Sequence, residues 1–243
     1  MRATERISAI SDEIKKGERV ADIGTDHGYL PIKIISDGTS DFVIMSDISE
    51  GSLSKAMENC RIRGIPADKC DFRVGAGLET LEKGEVDTVV IAGLGGGAMI
   101  EILGCDIDKT RSYRKFIMEP RNKSGELRYW LFVNGFDVSS EKLVSEGDFV
   151  RKVITAAPIE GYTERPLPYP KGDIRWTYPE ELSSCDPKLL SRLIGWKLDA
   201  IDESIRNMKA CKNDRTKKIE ELERNGEYLK ELLRKAGAGK EIV

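Results

Sequence analysis

The sequence predicts an α/β fold: a doubly wound, mostly parallel sheet followed by a small C-terminal helical hairpin or coiled-coil domain. Three observations predict it. Short apolar runs alternate with segments of helical spacing, the pattern of βαβ units. The run Val86-Asp87-Thr88-Val89-Val90-Ile91-Ala92 is almost continuously apolar and empties into Gly93-Leu94-Gly95-Gly96-Gly97, as a central parallel strand covered on both faces does. Beyond Asp186-Pro187 the apolar positions recur every three or four residues. These features divide the chain into a ligand-binding domain over 1–158, a linker or extended arm over 159–186, and a helical hairpin over 187–243.

The elements follow in order. Residues 7–14 have helical spacing. Arg19-Val20-Ala21-Asp22-Ile23 reads as the first strand and hands over through a Gly-rich turn to a helix. Phe42–Asp47 is a second strand ending in an acid. A helix over 49–63 is closed by Gly64 and Pro66. Cys70–Val74 is a short third strand, Val86–Ala92 a fourth, and Lys115–Pro120 a fifth, with a helix between the last two running through Ile102. Leu127–Phe132 forms a helix that stops near Asn134-Gly135. Two extended segments, 136–139 and 149–156, suggest an antiparallel edge. The stretch 159–179, rich in Pro, Gly and Tyr, reads as linker.

In the tail, Leu190, Ile194, Leu198, Ile201, Ile205 and Met208 form one apolar seam, and Ile219, Leu222, Leu229, Leu233 and Ala236 a second. With Asn213-Asp214 between them, they predict an antiparallel pair of arms, each about 25 residues and about 35 Å long. Gly226 falls on the second seam; it either weakens that helix by about 1 kcal/mol or, with Asn225, breaks it. No internal repeat is evident.

Hydrophobic residues make up 40% of the 243, enough for a sizeable core, and the 33% that are charged mark a soluble surface. No apolar run approaches the roughly 20 residues of a membrane helix, and the first residues lack the apolar stretch of a signal peptide. The expectation is a cytoplasmic protein without membrane association or an evident obligate protein partner. Five scattered cysteines (Cys60, Cys70, Cys105, Cys185, Cys211) and one histidine would make an unusual zinc ligand set, so no metal is expected. Net charge is −3, but residues 188–243 hold 14 Lys/Arg against 10 Asp/Glu, a local +4 on an otherwise acidic body. Such a tail is either a solvated helical face or a nucleic-acid contact.

The only histidine lies in the most informative stretch, Asp22-Ile23-Gly24-Thr25-Asp26-His27-Gly28-Tyr29. Gly24 and Gly28 permit close approach of a ligand to the backbone. Their G-x-x-x-G spacing differs from the G-x-G-x-x-G that cradles a pyrophosphate. The loop therefore suits a nucleoside without a diphosphate, with S-adenosylmethionine (SAM) the leading candidate and a nicotinamide dinucleotide disfavoured. Open α/β sheets bind ligands beyond the C-terminal ends of their strands. The candidate cofactor residues there are Asp22, Gly24, Asp26, His27, Gly28, Asp47, Ile48, Ala76, Gly77 and Gly93. Asp47 would accept both ribose hydroxyls or cap the next helix; Ala76-Gly77 would face the adenine edge or form a plain turn. Asp26 is either a turn former or acts directly in chemistry.

The stretch Ala21–Pro31, the later Ile91-Ala92-Gly93-Leu94-Gly95-Gly96, and Leu127-Arg128-Tyr129-Trp130-Leu131 with Asn134-Gly135-Phe136 together resemble the TrmK family of bacterial tRNA (adenine-22-N1)-methyltransferases. The similarity covers about residues 3–157; family members also append a helical coiled-coil domain. The resemblance implies a class I SAM-methyltransferase-like Rossmann fold, SAM as methyl donor with S-adenosylhomocysteine as product, tRNA as substrate, and Asp26 as the catalytic carboxylate beside the target base. Tyr29 becomes a candidate platform for an extruded adenine, and Lys209, Lys212, Arg215, Lys217 and Lys218 candidate phosphate contacts. Two departures stand out. The family usually reads G-D-G-L where this chain has Gly75-Ala76-Gly77-Leu78, and its Q-P-N-like stretch reads Glu119-Pro120-Arg121. They leave open a SAM enzyme acting on another RNA position or a small molecule, and a catalytically inactive tRNA-binding relative. No N/D-P-P-Y/F/W segment follows the fourth strand, which argues against methylation of an exocyclic amine.

Overall fold

The computed structural model describes residues 4–210 and 215–237. Lys212 and the Asn213-Asp214 turn lie outside the described residues. Seven strands form one sheet in the order β3-β2-β1-β4-β5-β7-β6. They are β1 (Val20–Ile23), β2 (Val43–Asp47), β3 (Cys70–Val74), β4 (Thr88–Ala92), β5 (Lys115–Glu119), β6 (Phe136–Glu146) and β7 (Phe149–Pro158). The first five are parallel, and β7 pairs antiparallel with both β5 and β6. Strand order reverses between β1 and β4, the place where a doubly wound sheet opens a crevice.

Alternation along the strands sends residues to two apolar layers. Ala21, Ile23, Val89, Ile91, Phe116 and Met118 pack on one face, under Met99 and Leu103 of α4 (Gly96–Gly104) and Leu127 and Leu131 of α6 (Ser124–Val133). Val20, Val43, Met45, Val90 and Ile117 pack on the other. There they meet α1 (Glu5–Ser11), α2 (Tyr29–Ser36) and α3 (Glu50–Ile62). A short helix α5 (Ile107–Thr110) completes the α4 side. Helix α1 starts at Thr4, whose hydroxyl accepts the Ile7 N–H, and Ser49 caps α3 the same way through the Ser52 N–H.

Several elements differ from the sequence expectation. Helix α1 ends at Ser11, earlier than the apolar spacing implied. The two short extended segments are one long hairpin, 11 and 10 residues, because their polar central positions find cross-strand partners rather than solvent. The register Phe116↔Ala156, Ile117↔Thr155, Met118↔Ile154 carries residues 149–152 and the Gly147-Asp148 turn past the C-terminal end of β5. The segment read as linker is folded over residues 174–184. It forms α7 (Ile174–Thr177) and a 3₁₀ turn over Glu180–Ser184, with Trp176, Tyr178 and Leu182 buried. Tyr129, Phe132 and Tyr169 surround the Trp176 ring.

The tail forms α8 (Pro187–Ala210) and α9 (Thr216–Lys235). Its core is shared with the sheet: Leu143 and Val150 of the β6–β7 hairpin pack with Leu182, Leu190, Ile194, Ile201, Leu229 and Leu233. Where the hairpin meets α6 and α7, Arg128 and Lys152 flank the buried Glu141, with Lys152 Nζ 3.6 Å from Glu141 Oε1. Helix α9 runs unbroken through Asn225-Gly226, so the expected break does not occur. Gly226 is buried on the seam, and a Cβ there would meet only Leu198 Cδ2, at 4.0 Å. The space accepts a methyl group. Gly226→Ala should therefore stabilise the protein by about 1 kcal/mol, from the gain in helix propensity, and raise its melting temperature by roughly 2–4 °C in calorimetry.

Candidate functional site

A cavity of about 510 Å³ opens beyond the C-terminal ends of β1, β2 and β4. Asp22, Gly24, Asp26, His27, Tyr29, Asp47, Ile48, Ala76, Gly77 and Gly93 all line it. Residues scattered from position 22 to position 93 thus meet because parallel pairing puts every strand-to-helix loop on one edge. Gly28 does not line the cavity. It takes φ +69° at the start of α2, and a Cβ there would lie 3.1 Å from Ala56 Cβ and 3.3 Å from Met45 Sδ. The absence of a Cβ lets the loop close onto α3 and β2, whereas the sequence reading expected Gly28 against cofactor.

The floor of the cavity is backbone. Gly24 (φ +76°) would carry a Cβ into open space, with only Leu94 as near as 4.0 Å. Asp26 is one of two non-glycine residues with positive φ (49°) among the described residues, a conformation Asp tolerates at modest strain. Its N–H donates to Asp47 Oδ2 at 3.2 Å, while Asp47 Oδ1 accepts the Ser49 N–H at 2.8 Å. A carboxylate has about four acceptor sites, so Asp47 keeps capacity for two hydroxyls. The Asp26 carboxylate, largely exposed, pairs through Oδ2 with His27 Nδ1 at 2.8 Å. The imidazole stacks on Tyr29, centroids 5.4 Å apart at 20°. Ile48 is 76% exposed at the rim, an apolar surface with no protein cover. A second cavity of about 300 Å³ shares Ala76, Gly77 and Ile102 with the first.

The carboxylates differ sharply in surroundings. Asp22 is buried, accepts the Thr25 hydroxyl at 2.7 Å, and has its pKa pushed up to about 6 by burial. Glu119, at the end of β5, is 1% exposed, and burial raises its pKa against the opposing pull of Arg6 and Arg151. Its Oε2 accepts the Gly93 N–H at 2.9 Å and lies 3.1 Å from Arg6 Nη1. Glu119 therefore holds the Gly93 loop in place; it does not itself line the cavity.

Arg6 and Arg121, which do line it, were not among the sequence candidates. Arg121 stood in plain view within the departure Glu119-Pro120-Arg121. Arg6 carries no local signal, because only the packing of α1 beside the strand ends brings it there. The basic residues Lys209, Arg215, Lys217 and Lys218 lie exposed at the far end of the α8–α9 pair, away from the cavity lining, with Lys209 3.7 Å from Glu223 and Lys218 2.9 Å from Glu221. Lys212 lies outside the described residues. Among the described residues no cluster of His, Cys, Asp and Glu has metal-binding geometry, and no helix is long and apolar enough to cross a membrane.

The model of a methyltransferase domain matches residues 3–154, more than half of the chain. The chain belongs to the methyltransferase-domain family. It is 28% identical over 156 residues to the tRNA (adenine(22)-N(1))-methyltransferase of Bacillus subtilis, a match covering 64% of this chain and 65% of that enzyme. A solved Listeria monocytogenes protein is 27% identical, with TM-score 0.82, covering 96% of this chain and 100% of its own. M. capricolum TrmK, solved with S-adenosylhomocysteine, shares the fold at TM-score 0.79 and 19% identity, covering 97% and 100%. The B. subtilis enzyme bears out the TrmK resemblance.

The unfolded Asp22 carboxyl loses its proton near pH 4 and the folded one near 6. Between those values the folded state holds more protons, so stability falls as pH rises through that window and stays lower above it. Asp22→Asn, which cannot ionise, should remove this fall and be more stable than wild type at pH 8 by on the order of 2–3 kcal/mol, with little difference at pH 4. Urea denaturation of the ligand-free protein at both pH values checks the sign.

Proposed function

We propose that this chain is a cytoplasmic SAM-dependent methyltransferase that modifies N1 of adenine 22 in the D-arm of tRNA. The observation that carries the reading is the pairing, in one cavity, of a glycine floor with two carboxylates in different settings. Asp47 is held beneath the loop by two backbone donors, and Asp26 stands exposed at the mouth. The TrmK relatives support the same substrate and cofactor.

The residues present fit the donor. A Cβ on Gly24 would enter the cavity, which therefore has room for a methionine moiety against bare backbone. Asp47 would take the ribose hydroxyls, and Ile48, Ala76 and Gly77 the adenine. Ala76 supplies no carboxylate to the adenine amine, where the family commonly has one. That forgoes about 1 kcal/mol of net hydrogen bonding and leaves recognition there to shape. When bound, SAM supplies an electrophilic methyl on a sulfonium.

The adenine N1 is already a nucleophile, so the chain needs no base to create one. As N1 forms the new N–C bond and the C–S bond breaks, positive charge passes onto the purine. A carboxylate beside the ring edge stabilises that charge most when it is fixed in advance. Asp26 fits this role: Asp47 holds its backbone and His27 orients its Oδ2, leaving Oδ1 to accept from the exocyclic amine. N1 lies on the Watson–Crick edge, so the base must leave its pair, at a penalty of a few kcal/mol. The stacked His27–Tyr29 rings at the cavity mouth offer a surface that offsets part of it.

Methylation of unmodified tRNA, with the product mapped by mass spectrometry, should place the methyl at N1 of adenine 22; transfer to no tRNA would refute the reading. Asp26→Ala should lower kcat about 10²–10³-fold while SAM affinity by calorimetry stays within about twofold; near-normal turnover would remove Asp26 from the chemistry. Reversing the charge of Lys209, Arg215, Lys217 and Lys218 together should weaken tRNA binding and flatten its salt dependence by roughly one unit of slope for each phosphate no longer neutralised. Filter binding across a salt series reads both, with SAM affinity as the control.

A further inference from the structure

The β6–β7 hairpin and α8 together place an exposed aromatic pair at the same edge of the sheet as the cavity. Phe149 is 55% and Trp196 45% exposed, and their rings meet edge-on, centroids 6.3 Å apart. Two guanidiniums lie over these rings: Arg151 4.8 Å from the Phe149 centroid and Arg192 5.7 Å from that of Trp196. Arg192 Nη2 donates to the carbonyls of Gly147 and Phe149 at 2.8 and 3.0 Å, which ties α8 to the hairpin turn. Arg192 bonds these carbonyls and no carboxylate among the described residues, and its buried Nε has no partner. Next to Trp196, Gly195 sits inside a long unbroken helix, yet a Cβ at that position would meet nothing within 4 Å. A helix-interior glycine is unfavourable by about 1 kcal/mol, and packing within this chain does not call for this one.

The pair is also continuous with the cavity. Arg151 Nε lies 2.9 Å from Glu146 Oε2, and Glu146 Oε1 lies 2.9 Å from Nε of Arg6, a cavity-lining residue. Apolar rings interleaved with unneutralised arginine match an unpaired nucleotide, which offers a π-face and a phosphate together. A purely apolar protein partner would leave the Arg192 charge buried and unpaired.

Resting on the tRNA-methyltransferase reading, we propose that Phe149 and Trp196, with Arg192 beside them, form a stacking platform for an unpaired nucleotide of the RNA substrate other than the methylated adenine. The platform grips a second point on the RNA while the target base is in the cavity. It acts on substrate affinity and not on the methyl-transfer step.

The test compares wild type, Trp196→Ala, Phe149→Ala and Trp196→Phe as full-length proteins, using an unmodified tRNA transcript. Melting curves establish that each variant is folded. Trp196→Ala should weaken tRNA binding by anisotropy about tenfold, the scale of one base–aromatic stack. The loss should fall on KM for tRNA rather than on kcat, with SAM affinity unmoved. Phe149→Ala should act in the same direction, and Trp196→Phe should recover most of the affinity. Wild type that methylates tRNA while both alanine variants match its KM within about twofold would overturn the platform alone. So would a sedimentation result in which Trp196→Ala splits a dimer and leaves tRNA affinity unchanged, which would make the pair a contact between copies. Wild type that neither binds nor methylates any tRNA would overturn the functional reading and the platform together.

Discussion

Two glycine-rich loops form this site, and each depends on a carboxylate from the neighbouring strand. Backbone N–H groups near the ends of parallel strands need acceptors where the chain turns away. Asp47, at the end of β2, accepts the Asp26 N–H from the loop after β1. Glu119, at the end of β5, accepts the Gly93 N–H from the loop after β4 through its carboxylate, beside the bond of the same N–H to the Glu119 carbonyl. The same device thus closes both sides of the point where strand order reverses. Backbone bonds such as Gly24 N–H to the Ser46 carbonyl and Arg121 N–H to the Leu94 carbonyl hold the same loops, and the two carboxylates add to them.

This arrangement separates holding from acting. Glu119 is buried and spends its hydrogen bonds on backbone and on Arg6, so the departure from the family's usual residue there alters the scaffold of the Gly93 loop. Asp47 does both jobs, since two backbone donors leave acceptor sites free. Asp26 is the exposed member, its backbone strained and its side chain steered by His27. Strain at an exposed carboxylate in a cavity mouth is where a functional group is expected to sit.

The C-terminal helices do not hang from a free linker. Leu143 and Val150 of the long hairpin share a core with α8 and α9, and residues 174–184 pack beneath them. The buried group of Arg128, Glu141 and Lys152 ties α6 to the hairpin at the same seam. Movement of the helical pair relative to the cavity would have to break that core.

Local chemistry was enough to read the five parallel strands, the doubly wound sheet, the helical pair and the part of the cavity lining that follows β1 to β4. An apolar run such as Val86–Ala92 can be satisfied only as a covered strand, and the loops that follow parallel strands must share an edge. Asp26, Asp47, Ala76 and Gly93 were recognisable for that reason before any coordinates. The remainder depended on contacts between residues far apart in the chain. Arg6 reaches the cavity only because α1 packs beside the strand ends, and Gly28 belongs to packing only because Ala56 and Met45 crowd it. The docking of the β6–β7 hairpin on β5, the folding of residues 174–184 and the meeting of Phe149 with Trp196 are likewise set by partners distant in the chain. Periodicity reports which face of an element is apolar; it carries no information about which other element will cover that face.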